Sequence, residues 1–331
     1  MRTLYFSYSY VAPHHPLTSA EPISSPYTVT YHVARFLKAR ADERGMDFKY
    51  VNLDDTTPYT FDSGDIVVGH LWHTPGSFVR QALAQQACPT FILQPYSNCM
   101  VSAGDVAEYA ALFDRATHSF WITGRAWWQA MERSGFAPLK AKSTRLDMAV
   151  NADIHPYSKT TWGKPGKRGF LAIGADIPAK GLDRISELAQ VSGIRLGYFG
   201  NADAARFEHV AQISHYGGAE FKPAVIQSIC NEYDFFLTLG RCDANPTTLL
   251  ETACWGLIGA CNAASGYVPN EPFLELRGDD LCFNWEQVER MNAMDEYDLI
   301  ERSRRMRTLM ETSYTWDKFT ATLWDGIERW I

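Results

Sequence analysis

Along the first 150 positions two hydrophobic rhythms alternate: short β-branched or aromatic runs, and longer stretches with apolar residues at helical spacing. Thr3 to Tyr10 reads as a first strand. Tyr27 to Arg44 places Val29, Val33, Phe36 and Leu37 at helical intervals and is stopped by Gly45. The same alternation predicts strands at Asp47 to Val51, Asp65 to Leu71, Pro89 to Gln94 and Ser119 to Thr123. Helices are predicted at Ser77 to Gln86, at Ser102 to Ala116 with Ser102 as N-cap, and at Arg125 to Ser134. Repetition of this kind builds a parallel sheet with helices on both faces.

Asn151 to Arg168 breaks the rhythm with Pro156, Gly163, Pro165 and Gly166 among Lys and Thr, a composition that suits an exposed connection. A second series follows. Strands are predicted at Gly169 to Gly174, Arg195 to Gly200, Phe235 to Leu239 and Leu257 to Cys261, with helices at Gly181 to Ser192, Ala202 to Ile213, Pro223 to Glu232 and Thr247 to Trp255. Two further helical patterns, Asp295 to Thr312 and Trp316 to Ile331, close the chain. The expected fold is α/β: two Rossmann-like doubly wound domains at 1–150 and 169–315, a linker at 151–168, and a terminal helix at 316–331 that crosses back to the first domain.

Composition narrows the function without naming it. The chain has 331 residues, 46% hydrophobic and 21% charged, with room for two cored domains. Its formal charge of −7 offers no basic stripe for a phosphate backbone, so general nucleic-acid binding is not expected. No apolar run reaches membrane-spanning length and the N-terminus lacks a signal-peptide layout, which points to the cytoplasm. The seven cysteines lie scattered, without a C-x-x-C pair, and read as reduced core residues.

The stretch from Asp234 to Gly266 is the most informative. An apolar strand leads into the turn Gly240-Arg241-Cys242-Asp243-Ala244-Asn245-Pro246 and then a helix in which Thr247 or Thr248 can serve as cap. The free N–H groups and positive dipole end of that helix make an anion site at the C-terminal edge of a sheet. Asp243 and Glu251, eight positions apart, could grip separate hydroxyls of one ligand. Upstream, Gly174-Ala175-Asp176-Ile177-Pro178-Ala179-Lys180-Gly181-Leu182 brings a lysine to the start of another helix.

These two stretches resemble the signature of the GT-B glycosyltransferases of the family 4 type. There an acid, seven residues and a Glu precede Ala-x-x-Gly, here Asp243 to Glu251 and Ala253 to Gly256, and a Gly-Arg loop and Lys-Gly-Leu lie about seventy residues upstream. The resemblance implies that Glu251 holds the nucleotide ribose, that Asp243 reaches the donor sugar and that backbone N–H groups near Thr247 and Thr248 meet phosphate. Lys180 would face the diphosphate, with Gly174 beside it. The family's Arg is Ala175 here, so Arg241 or Lys167-Arg168 would supply the second cation, or else the donor carries a single phosphate.

Asp65-Ile66-Val67-Val68-Gly69-His70 resembles the strand ending in the family's active-site histidine, and Tyr314-Thr315-Trp316-Asp317 the opening of its last helix. The Gly-Gly loop after the first strand is replaced by Val11-Ala12-Pro13-His14-His15-Pro16. His70 and His73 have no third metal ligand nearby, and no metal is expected. Trp127-Trp128 reads as core packing and a domain-interface anchor rather than a sugar platform, and Gly200 as a point where a ligand could approach the backbone.

The implied activity is retaining transfer of a sugar from a UDP- or GDP-sugar, with no other cofactor required. The two domains would face each other across a cleft, the first taking a glycan, lipid or small-molecule acceptor and the second the donor. A sugar-nucleotide hydrolase or epimerase, or a catalytically silent binding module, are the alternatives on the same scaffold.

Overall fold

A computed structural model describes residues 2–8, 28–96, 106–133, 137–218, 221–267 and 273–331. The chain forms two compact units, one comprising Met1–Thr123, Trp128–Asp147 and Trp316–Ile331, the other Gly124–Trp127 and Met148–Thr315.

The first unit is built from β1 (Thr3–Ser7), α1 (Val29–Glu43), β2 (Asp47–Tyr50), β3 (Ile66–Gly69), α2 (Phe78–Gln85), β4 (Thr90–Pro95), α3 (Val106–Arg115), β5 (His118–Ile122) and β6 (Ser143–Leu146), while α4 (Arg125–Ala130) has its first three residues in the second unit and the rest in the first. Its six strands pair in the order β2-β1-β3-β4-β5-β6, all parallel, with Leu4 opposite Ile66 and Phe6 opposite Val68. β1 is buried along its whole length, as a central parallel strand must be. Thr28 caps α1 by accepting the Tyr31 N–H at 3.2 Å, and the helix buries Val33, Ala34, Leu37 and Ala41.

The second unit adds β7 (Gly169–Ile173), α5 (Leu182–Ser192), β8 (Arg195–Phe199), β9 (Ile213–His215), α6 (Pro223–Glu232), β10 (Phe235–Thr238), α7 (Thr247–Trp255), β11 (Ile258–Cys261), β12 (Leu274–Glu275), α8 (Leu281–Ala293) and α9 (Glu296–Thr312). Its parallel sheet runs β12-β11-β10-β7-β8-β9, with the Phe170 ring stacked on Phe235 at 5.1 Å in the middle. The last helix, α10 (Trp316–Glu328), packs in the first unit against α1, β5 and β6. Trp316, which opens it, stacks on His32 at 4.2 Å.

Four features depart from the hydrophobic pattern. The helix predicted over Ala202 to Ile213 is a single 3₁₀ turn, Ala204–Phe207, started by Asp203 accepting the Ala205 N–H, and its end becomes edge strand β9. Helix α8 and strands β6 and β12 carry no clear apolar period and escape the pattern. Residues 151–168 are not simply exposed: Lys159 and Arg168 are buried. The Lys159 ammonium donates to the carbonyls of Cys230 and Tyr233 and pairs with Asp234 at 2.9 Å, while Asp234 accepts the N–H groups of Gly163 and Gly169. Removing either partner of that ion pair would strand a buried charge at a cost of about 3–5 kcal/mol. Finally, Cys88, Cys230, Cys254 and Cys261 are buried free thiols, but Cys242 is disulfide-bonded, which corrects the expectation of wholly reduced cysteines. Cys spacing carries no signal of such a bond, because pairing is decided in space. The proposed cap Ser102 and the loop from Val11 to Pro16 lie outside the described residues.

Candidate functional site

Strand β10 delivers the chain to the C-terminal edge of the second sheet, where the turn 240–246 is fixed from several sides. The N–H groups of Arg241 and Cys242 both donate to the Ala179 carbonyl, and that of Asp243 to Ala264. The carbonyls of Gly240, Asp243, Ala244 and Pro246 accept from the Asn262 amide, the Trp127 indole, the Gly124 N–H and the Tyr267 hydroxyl respectively. Held in this way, the backbone at Asp243 is fixed at the sheet edge.

Lys180 arrives from the opposite side, at the end of a 3₁₀ turn, Pro178–Lys180. Gly181 follows because its φ is +64° and a Cβ there would stand 2.0 Å from the Leu239 carbonyl oxygen, a position only glycine tolerates. The tight approach brings the Lys180 ammonium onto the Asp243 carboxylate, and the two half-buried groups form an ion pair. A narrow pocket of about 20 Å³ lies beside them, lined by Gly174, Ala175, Lys180, Tyr198, Thr238 and Thr248 among others.

Helix α7 starts at Thr247 with Pro246 at the N-cap and no side-chain cap. This corrects the expectation that Thr247 or Thr248 caps the helix: both sit inside its first turn. The Thr247 hydroxyl instead bonds the Glu251 carboxyl one turn on. That single bond does not offset desolvation, and the Glu251 carboxyl is pushed up to about 7. A carboxylate left short of donors beside an uncapped helix start is suited to hydroxyl groups of a ligand.

No family model and no curated protein sequence matches the chain. Solved structures do. HepE from Anabaena, in complex with UDP and glucose, matches with a TM-score of 0.66 at 8% identity, covering 99% of this chain and 99% of HepE. The catalytic domain of starch synthase IV from Arabidopsis thaliana, bound to ADP and acarbose, matches with a TM-score of 0.65 at 9% identity and 98% coverage of both. S. aureus TarM, solved as a variant with UDP, matches with a TM-score of 0.61 at 9% identity over 80% of this chain, which spans only 55% of TarM. The fold is that of the GT-B glycosyltransferases.

Within this GT-B fold the structure gathers Lys180, Asp243, Thr247, Thr248, Glu251 and Gly174 at one sheet edge of the second unit. Arg241 lies in the same turn, but its guanidinium forms a two-pronged pair with Asp183, which lowers the Asp183 carboxyl. Lys167 and Arg168 cannot serve as the missing cation: they precede β7 and so stand at the opposite edge of the sheet, with the Arg168 guanidinium donating to the Met294 carbonyl. A cation that sequence reasoning passed over, Arg206, pairs with Asp176 at 2.7 Å, next to Ala175. Trp127, read as core packing, holds the Asp243 carbonyl at 2.7 Å. At Gly200 the Tyr198 hydroxyl and the Gly174 carbonyl fill the place of a Cβ, so the fold itself requires glycine there.

In the first unit of the GT-B fold, His70 follows β3 at the C-terminal sheet edge, its N–H bonded to the Ser7 carbonyl at 2.7 Å. Its ring lies 5.4 Å from Tyr8 and edge-on to Trp72 at 5.8 Å. Desolvation lowers its pKa to about 4, against a hydrogen bond to the Tyr8 backbone that acts the other way, so the imidazole is neutral near pH 7. Among the described residues no group of three His, Cys, Asp or Glu side chains could hold a metal ion, and no helix is long and apolar enough to cross a membrane.

Proposed function

We propose that the chain is a retaining glycosyltransferase that uses a nucleotide-diphosphate sugar, a UDP-, GDP- or ADP-sugar. The observation that carries the reading is the Lys180–Asp243 ion pair beside the uncapped start of α7. The nucleotides named with the solved neighbours, UDP and ADP, support it.

Ligand pockets commonly measure about 300–1,000 Å³, so a nucleotide sugar needs the narrow pocket to open and the ion pair to part. The exchange is chemically balanced. Lys180 passes from one anion to another, the diphosphate, with the α7 N-terminus adding about 0.3–1 kcal/mol of favourable dipole interaction. Asp243, released, accepts hydrogen bonds from hydroxyls of the transferred sugar, and Glu251 accepts them from the ribose. Charge that grows on the leaving diphosphate in the transition state then meets a cation already in place. That diphosphate itself takes the acceptor proton, which gives front-face attack and retention. His70 is the catalytic residue proposed in the first unit, a neutral hydrogen-bonding group that adds no charge.

Incubation with UDP-, GDP- and ADP-sugars and a panel of glycan, lipid and small-molecule acceptors tests the reading. The expected product keeps the donor's anomeric configuration by NMR. Release of free sugar regardless of acceptor would indicate a hydrolase, and no turnover despite binding a silent module.

A further inference from the structure

The backbone of the 240–246 turn is bonded from three separate segments, yet one side chain within it has no partner. Asn245 is 4% exposed, and neither its amide nitrogen nor its oxygen is hydrogen-bonded among the described residues. Buried carboxamides are normally satisfied, because each donor and acceptor lost to water without replacement destabilises the fold. Local repair is absent here. The turn carbonyls at Gly240, Asp243, Ala244 and Pro246 already accept hydrogen bonds from other donors. An asparagine one position later would cap α7, but that place belongs to Pro246, which has no acceptor side chain.

We propose that the Asn245 carboxamide binds hydroxyl groups of the transferred sugar, beside Asp243, an inference that rests on the donor reading above. The chemistry selects hydroxyl over phosphate. A carboxamide offers both donors and acceptors and a hydroxyl answers both, whereas phosphate oxygens only accept and would leave the amide oxygen unmatched. The position fits as well, two residues after Asp243 and one before the N-cap of α7. An unpaired polar group kept in a rigid turn is stability given up in the free protein and recovered when ligand binds.

Titration calorimetry with paired probes, UDP against UDP-glucose, GDP against GDP-mannose and ADP against ADP-glucose, tests this on the wild type, Asn245→Leu and Asn245→Ala. For the pair that the wild type binds, both variants should hold the bare diphosphate within about twofold and lose roughly tenfold in affinity for its sugar. Their thermal midpoints should equal or exceed the wild type's, since an apolar side chain removes the unpaired amide. Equal losses for diphosphate and sugar, no loss for either, or a lower midpoint in both variants would overturn the proposal. The last would mean that the amide is satisfied within the fold, for instance by a buried water. A wild type that binds none of the six probes overturns the donor reading itself, a result separable from any behaviour of the variants.

Discussion

At the C-terminal edge of the second sheet charged and polar groups meet in pairs: Lys180 with Asp243, Arg241 with Asp183, Glu251 with Thr247. At the corresponding edge of the first sheet His70 stands between the rings of Tyr8 and Trp72, with its pKa lowered to about 4. Both edges belong to parallel sheets with the same kind of winding, so topology does not account for the difference. Under the function proposed above, the second edge would receive a charged ligand by exchange of partners, whereas His70 would offer the first a neutral hydrogen-bonding group.

That contrast is most exposed at Lys180. Lys180→Ala strands the Asp243 carboxylate and, under the proposed function, removes the cation opposite the leaving group, so sugar transfer should fall at least about a hundredfold. Lys180→Ala with Asp243→Asn should bind the diphosphate better than Lys180→Ala alone, because the stranded charge is gone. Equal affinities of the single and double variants would show that the two groups do not act as a pair.

Next in size is the effect of Glu251. Its folded-state pKa, raised to about 7, exceeds the ~4.3 of an unfolded glutamate, so its stabilising contribution is full below about pH 4 and is lost as pH rises through about 7. The thermal midpoint of the wild type should therefore fall, relative to Glu251→Gln, between about pH 4 and 7. Ribose hydroxyls favour the carboxylate, so nucleotide binding near about pH 6.5 should release a proton, seen as buffer-dependent heat that Glu251→Gln abolishes.

His70 works with the opposite sign. Its lowered pKa adds stability that is present above about pH 6.5 and lost as pH falls through about 4, and His70→Phe should flatten that acid limb of a stability profile. His70→Ala should lower kcat more than it raises KM. A pH–rate inflection near pH 6 that disappears in His70→Ala would contradict the neutral histidine. The smallest effect is expected at Arg241. Its pair with Asp183 is largely exposed, so Arg241→Ala should cost less than about 1 kcal/mol of stability and less diphosphate affinity than Lys180→Ala.

Much of the second edge is legible in the amino-acid sequence. Lys180, Gly181, Asp243 and Glu251 lie in the two short stretches that carry the family resemblance, and the structure brings Lys180 onto Asp243; α6 and α7 begin and end where periodicity and Pro or Gly place them. Partners that come together only in space leave no such mark: Trp127 on the Asp243 carbonyl, Asp183 on Arg241, and the unpaired amide of Asn245. Edge strands β6, β9 and β12 escape because they are short and half polar, with one neighbour to satisfy. The run after Ala202 has helical composition, but pairing of Ile213–His215 with β8 outweighs that weak preference.

The central claim is that Lys180 leaves Asp243 for the diphosphate of a nucleotide. Calorimetric affinities of UDP against UMP, GDP against GMP and ADP against AMP, for wild type and Lys180→Ala, test it most directly. The account predicts that one diphosphate binds the wild type at least about tenfold more tightly than its monophosphate and that Lys180→Ala erases most of the difference. A wild type that binds both equally, or a difference that survives loss of Lys180, would contradict it.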